Sequence, residues 1–497
     1  MNKRFARRYS AFLVVFAALF GLLVQERLDA QNNSSSNTNN TSRNTTTNTN
    51  TGNTSNTNTS NNNDNNNTFT PGTIFPGMVY QQAIGGVAID GKGVLSNASM
   101  QMLRTRRDVL QQYLDAIPSE LTQQTALRKI SLKKLNELIA FCSEKGFQLP
   151  DEAIYLGGLT SIQNVVAIPE ENDIVLIGPA EGWQYDQTGS LVGIKTGKPI
   201  LLLEDLITLM RLWNGNTHPA VMTCSIDPTP EALGQVARLR QYTSGIRSNS
   251  AEAYRRELEM AFGMNEVVLK GLPDDSRIAR VMVAADYKLK QIGLGVPGAP
   301  QGFSSYLKYV TLRSNHSISP RFWLTPEYGT ISHDVDRLTW DLSQSKVRVM
   351  TESDYIDVRG GRIATGTSER TAVRWAEDLT KRYNELAGKD SVFADLKNCM
   401  EMSVAVALIF KENLHQRTNC NLNMLWDRTA IDLPRYDVPR QVQSIGVIEK
   451  KTGGVVVACG GVEVNPWVKL EKTQLNENLS LKRSSLTVMK GNQFWSN

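Results

Sequence analysis

Apolar positions divide the chain into a long polar stretch near the N-terminus, followed by short apolar runs alternating with amphipathic segments. The runs 162–168 and 173–177 are apolar at almost every position and flank Pro169-Glu170-Glu171-Asn172. That pattern predicts two strands joined by a turn. Further strands are expected at 191–194, 220–226 and 266–270, with helices at 98–116, 131–145, 204–213, 231–242, 251–262 and 275–292. In 131–145, Leu132, Leu135, Leu138, Ile139 and Cys142 recur at helical spacing between a capping Ser131 and a terminating Gly146.

Past the glycine- and proline-rich 293–302 loop, strands are expected at 321–324, 338–342, 347–350 and 355–358. Helices at 369–387 and 391–414 carry facing apolar stripes and read as an antiparallel pair. Segments 442–450 and 455–459 read as a hairpin about Thr452-Gly453-Gly454. The order of elements predicts a mixed fold, α/β or α+β. It consists of an N-terminal, mostly helical part at 75–150, a central α/β unit at 151–296, a C-terminal α+β unit at 303–468 and a loosely attached polar tail at 469–497.

The N-terminus changes the picture from a plain globular chain. A basic start, an apolar run from Ala11 to Val24 and Leu28-Asp29-Ala30 before Gln31 form a three-part secretory signal over 1–30. Fourteen apolar residues are short for a bilayer span of about 20. Cleavage between Ala30 and Gln31 is therefore expected, with an uncleaved N-terminal anchor as the alternative. Residues 31–74 are dominated by Asn, Ser and Thr, with almost no apolar surface to offset ordering entropy, and are expected to be a disordered tether. No later apolar run reaches spanning length.

Residues 1–30 hold five of the 54 basic and two of the 49 acidic side chains, so the remainder carries 49 against 47. A nearly balanced chain without a basic stripe argues against nucleic-acid binding. Five cysteines in an exported chain allow two disulfides at most. Cys399 and Cys420 are the candidate pair, because a helix followed by a polar loop can bring them together; the favoured alternative is that most of the cysteines are small buried apolar residues.

Candidate chemistry concentrates in 173–231, where two strand ends and two helix starts meet. Cys224 precedes a helix start, where the dipole could lower a thiol's pKa, with His218 the nearest base. The bland alternative is a structural cysteine beside Asp227, a capping residue. Glu181, Asp227 and Glu231 could supply paired carboxylates across the strand ends, with Trp183 as a sugar-stacking face. Turn and cap roles would explain the same residues. His316, His333, Asp334 and Asp336 are the densest set of metal-ligand types but lack a ligand signature, so no metal is expected. Asp286 and Lys290 form an i,i+4 pair expected on a solvated helix face. Gly-x-Ser-x-Gly, phosphate-loop, His-Glu-x-x-His and dinucleotide patterns are missing, and no cofactor is expected.

Several blocks carry a resemblance: Tyr155-Leu156-Gly157-Gly158-Leu159, Gly178 to Trp183, Cys224 to Thr229, Ala284-Ala285-Asp286-Tyr287, Arg321-Phe322-Trp323-Leu324, Phe393 to Met400 and Gly460-Gly461-Val462. With them the chain resembles an uncharacterised exported planctomycete-type family, domain of unknown function fifteen ninety-eight, over roughly 75–470. The resemblance implies secretion and supplies no catalytic residues.

The expectation is thus an exported interaction or structural protein that meets an envelope or surface component. The alternative is a secreted hydrolase of envelope or environmental polymers, with its site at the 178–183 and 224–231 loops.

Overall fold

A computed structural model describes residues 83–112, 114–214, 220–242, 256–257, 260–309, 318–356, 362–444, 447–448, 455–456, 459–487 and 493–497. The expected signal, the tether, His218, His316 and most of the 251–262 helix lie outside these residues.

Strands β1 (Ala83–Ile84), β2 (Val87–Ile89) and β3 (Val94–Asn97) form a meander before helix α1 (Met100–Gln111). Strand β4 (Thr125–Ser131) runs straight into α2 (Leu132–Lys145). Ser131 Oγ accepts from the Lys134 N–H at 3.1 Å, and Gly146 closes the helix in the left-handed region. Both ends follow the capping residues in the sequence.

Strands β5 (Asn164–Ile168) and β6 (Asp173–Ala180) then pair antiparallel, followed by the small ladder of β7 (Trp183–Tyr185) and β8 (Leu191–Gly193). Helix α3 (Leu203–Trp213), β9 (Met222–Pro228), α4 (Pro230–Tyr242), β10 (Met264–Lys270) and α5 (Arg277–Leu294) come next. After them lie β11 (Ile318–Tyr328), β12 (Ile331–His333), β13 (Thr339–Asp341), β14 (Ser345–Ile356) and β15 (Arg362–Ala364). Helices α6 (Arg370–Lys381), α7 (Tyr383–Lys389) and α8 (Ser391–Lys411) precede β16 (Gln441–Gln443). The chain finishes with β17 (Val447–Ile448), β18 (Val455–Val456), β19 (Cys459–Val464), β20 (Thr473–Leu475), α9 (Glu477–Thr487) and β21 (Trp495–Ser496).

The strands form a ten-stranded sheet, ordered β1-β2-β3-β16-β10-β9-β19-β11-β14-β15, and a seven-stranded sheet, ordered β20-β12-β13-β5-β6-β4-β21. The fold is mixed, as the element order implies. Strand β19 inserts between β9 and β11, and its Gly460-Gly461 makes this approach feasible. A Cβ on Gly460 would lie 1.6 Å from the Phe322 carbonyl oxygen, and one on Gly461 would lie 1.8 Å from that of Cys224. No other residue fits there without parting the strands.

Helix α5 lies on β9 and β19, and α8 packs against α3, α5 and α7. Sixteen of the 18 residues of α5 and 16 of the 21 of α8 are buried. These are interior helices rather than half-exposed ones, so the expected solvated face at Asp286 and Lys290 does not exist: Asp286 is completely buried. Glu401 of α8 accepts from Ser161 Oγ at 2.7 Å and the Ile162 N–H at 3.2 Å, and also from Ser345 Oγ, tying the helix to both sheets.

The seven-stranded sheet explains the two continuous apolar runs. Val165, Ala167, Ile174 and Leu176 belong to the main core, while Val166, Ile168, Val175 and Ile177 pack on the opposite face with Leu486 of α9. A strand covered on both faces shows no alternation. The C-terminal stretch expected to be loose is therefore part of the structure, for a second reason as well: Trp495 pairs with Ile130 of β4 and is buried. The apolar positions of that stretch are too few and scattered to announce this role.

Three further expectations change in detail. The 369–387 helix breaks at Arg382 into α6 and α7, where Thr380 Oγ1 donates to the Ala376 carbonyl and accepts from the Val349 N–H, a back-bond that bends helices. The strand expected at 347–350 and the described part of the one expected at 355–358 are one strand, β14, held along the whole of β11 from Ile318↔Tyr355 to Tyr328↔Ser345. The 447–448 and 455–456 segments do pair as a hairpin, but Val442 pairs with Asn265 of β10 instead.

Candidate functional site

The residues singled out in 173–231 do not meet. Glu181 follows β6 of the seven-stranded sheet, Cys224 and Asp227 lie in β9 of the ten-stranded sheet, and Glu231 is exposed in the first turn of α4. The Glu181 carboxylate is buried and turned inward, accepting from the Lys195 N–H at 2.7 Å, the Thr196 N–H at 3.2 Å and Thr196 Oγ1. It closes the turn that follows β8. Trp183 is only 2% exposed and packs edge-on against Tyr155, with ring centroids 5.5 Å apart, so no stacking face is presented. The cap of α4 is Thr229, whose Oγ1 accepts from the Ala232 N–H at 3.1 Å.

Cys224 is a buried strand residue rather than a thiol at a helix start. Burial, reinforced by the neighbouring Asp286 carboxylate, raises its pKa well above the ordinary thiol value, opposite to what a nucleophile needs. Asp286 itself is pushed up to about 7 by burial, which its ion pair with Lys290 only partly offsets. Lys290 also reaches the Gly460 carbonyl at 3.4 Å, so this pair braces α5 against β19.

The candidate disulfide between Cys399 and Cys420 is not formed; both thiols are free and buried, as the alternative of buried apolar cysteines has it. Cys399 faces α3, with its Sγ 4.0 Å from Asp205 Oδ2, while the Cys420 N–H donates to the His415 carbonyl at 2.9 Å. His333, Asp334 and Asp336 belong to one turn. His333 Nε2 faces Arg337 Nη1 at 2.9 Å and its Nδ1 faces the Asp334 carbonyl at 2.8 Å, which fixes the ring as an Nδ1–H tautomer. Asp334 Oδ1 accepts from the Leu338 and Thr339 N–H groups, and Asp336 is exposed.

A different place concentrates unusual electrostatics. Arg277, the first residue of α5, donates to Asp205 Oδ2 at 2.6 Å and to Asp395 Oδ1 at 2.9 Å, joining α3, α5 and α8. Burial opposes the guanidinium's charge, but the Asp395 and Asp205 carboxylates outweigh it and hold its pKa well above the ordinary value. Burial raises both Asp205 and Asp395, against the pull of Arg277. Next to them Glu204 is pushed up to about 8, by burial first and the Asp205 carboxylate second. Tyr436 donates to both of its oxygens, at 2.9 and 3.0 Å.

Glu204 and Arg277 of this network line a cavity of about 260 Å³ between α3, the turn before α5 and the 428–435 loop. Glu204, Arg211, Arg277, Arg428, Asp432 and Arg435 are among its lining residues. The loop is irregular but held in place. Arg211 Nη2 donates to the Ile431 carbonyl at 2.7 Å, and the Tyr436 N–H donates to that of Asp275 at 2.8 Å. Perturbed acids in a cleft mark a candidate site on physical grounds. Sequence reading missed it because its arginines are spread over more than 200 positions in irregular or helical segments, with no motif spacing.

Residues 224–306 match the family model described as protein of unknown function (DUF1598). DUF1598 takes in β9, α4, β10 and α5, and so contains Cys224, Arg277, Asp286 and Lys290, whereas α3 and the 428–435 loop lie outside it. Of the blocks that carry the resemblance, Cys224 to Thr229 and Ala284 to Tyr287 fall inside the match. No curated protein and no solved structure matches the chain.

Proposed function

We propose that this DUF1598 protein is an exported binding protein of the cell envelope or surface rather than an enzyme. The 1–30 segment directs export and is removed, the 31–74 segment is a polar spacer ahead of the folded body, and the arginine-lined cavity contacts the partner. The observation that carries the reading is the cavity's chemistry: arginines with free donors around a half-buried acid, with neither nucleophile nor metal ligand set described there. Nothing favours the hydrolase reading at the 178–183 and 224–231 loops, since Glu181 and Trp183 are buried in packing and Asp227 lies on the other sheet. Among the described residues no helix is long and apolar enough to cross a membrane.

The test is protease shaving of intact producing cells, with N-terminal sequencing of the released or retained chain. Cleavage by added protease and a mature start at Gln31 are expected. An intact Met1 on a protein protected inside the cell would overturn the proposal.

A further inference from the structure

We infer that the cavity between α3, the turn before α5 and the 428–435 loop binds a small, multiply charged oxyanion bearing carboxylate or phosphate groups. The inference deepens the binding-protein reading by naming the ligand class. Three guanidinium groups have donors to offer there. Arg428 and Arg435 line the cavity and make no side-chain hydrogen bond or ion pair with the described residues. Arg211 uses one Nη on the Ile431 carbonyl, and its buried Nε has no partner among the described residues. A guanidinium presents planar paired donors that match carboxylate or phosphate oxygens, and a buried donor left unmatched is costly.

The surroundings favour an anion over a cation. Arg277 is already committed to Asp205 and Asp395, two carboxylates that do not line the cavity, and burial with the Asp205 carboxylate pushes Glu204 up to about 8, toward its neutral form. That leaves three arginines against Asp275 and Asp432 around the opening. The N-terminus of α5, an 18-residue helix, opens on the same cavity and adds its positive dipole end. The volume, about 260 Å³, falls below the roughly 300–1,000 Å³ of drug-sized pockets and restricts the occupant to a small molecule or the end group of a larger one.

Isothermal titration of the full chain with inorganic phosphate and, separately, citrate tests this. Saturable binding of at least one probe is expected, weakened about tenfold or more in Arg428→Ala/Arg435→Ala. These side chains are exposed, so the variant keeps its fold, which its melting temperature checks. Phosphate binding alone assigns a phosphate-bearing ligand, and citrate binding alone assigns a polycarboxylate. Asp432→Asn, which removes a competing anion, is expected to tighten binding. Absence of saturation by either probe up to about 10 mM, or an affinity unchanged in the double arginine variant, overturns the inference. The shaving experiment is independent of this titration, so export and surface placement can stand while the ligand class falls.

Discussion

Tyr436 holds both carboxyl oxygens of Glu204, at 2.9 and 3.0 Å, from 232 residues further along the chain. One hydroxyl thus couples the mouth of the cavity to the buried acids at the start of α3. Tyr436→Phe removes it and is expected to cost about 1–2 kcal/mol of stability by urea denaturation. It should also raise the titration of Glu204 further, since the hydroxyl favours the ionised form. An unchanged denaturation midpoint would separate the loop from the network.

The buried acids set a pH dependence. Glu204 rises from an ordinary value near 4.5 to about 8, and Asp286 rises to about 7. Between the unfolded and folded values the native chain binds protons that the unfolded chain has lost, so stability falls as pH rises through that window. Denaturation midpoints should decline from roughly pH 5 to pH 8, and less steeply in Glu204→Gln. Parallel profiles for the two proteins would show that Glu204 ionises normally.

Asp286 and Lys290 make a second test, deep under β9 and β19. Asp286→Ala leaves the ammonium buried without its partner and is expected to cost about 3–5 kcal/mol. Asp286→Leu with Lys290→Met, which removes both charges, should recover most of the loss. A double variant as unstable as Asp286→Ala would mean that the pair is needed for more than mutual neutralisation.

Much of the architecture was readable in the sequence where capping and periodicity coincided. Ser131 with Gly146 brackets α2 by local chemistry alone, and the periodicity over 275–292 marks α5 to within two residues of either end. Where tertiary packing decided, the sequence misled. Strand β4 hides behind Arg128 and Lys129, and Arg128 is fully buried only because Gly157, Gln123 and Asn497 accept its donors. Asp286 and Lys290 have the spacing of a surface pair, and nothing local reports that β9 and β19 cover them. The candidate site was illegible for the same reason: Glu204, Arg277 and Arg435 meet only through the packing of α3, α5 and a loop. Glu181 and Trp183 drew notice by residue type, and type does not say which way a side chain turns.

Trp495 fixes the C-terminal end against β4, beneath the Arg128 guanidinium at 5.7 Å. Trp495→Ala should cost about 3 kcal/mol or more, in contrast to a dispensable tail. A melting temperature equal to that of the unaltered chain would restore the loose tail.

Peptide mapping of the unreduced protein is expected to recover Cys399 and Cys420 unlinked, since each is a buried free thiol in a different packing environment. A linked pair of peptides would require α8 and the 418–422 segment to be arranged differently.

The most direct measurement is co-sedimentation of the full chain with isolated envelopes across a salt series, with Arg428→Ala/Arg435→Ala in parallel. Binding that weakens with salt and is lost in the variant is the expected result, because contacts through exposed guanidinium groups are screened beyond about 8 Å at physiological ionic strength. Envelope binding that is equally strong in the variant at every salt concentration would contradict the assignment of the cavity as the contact site.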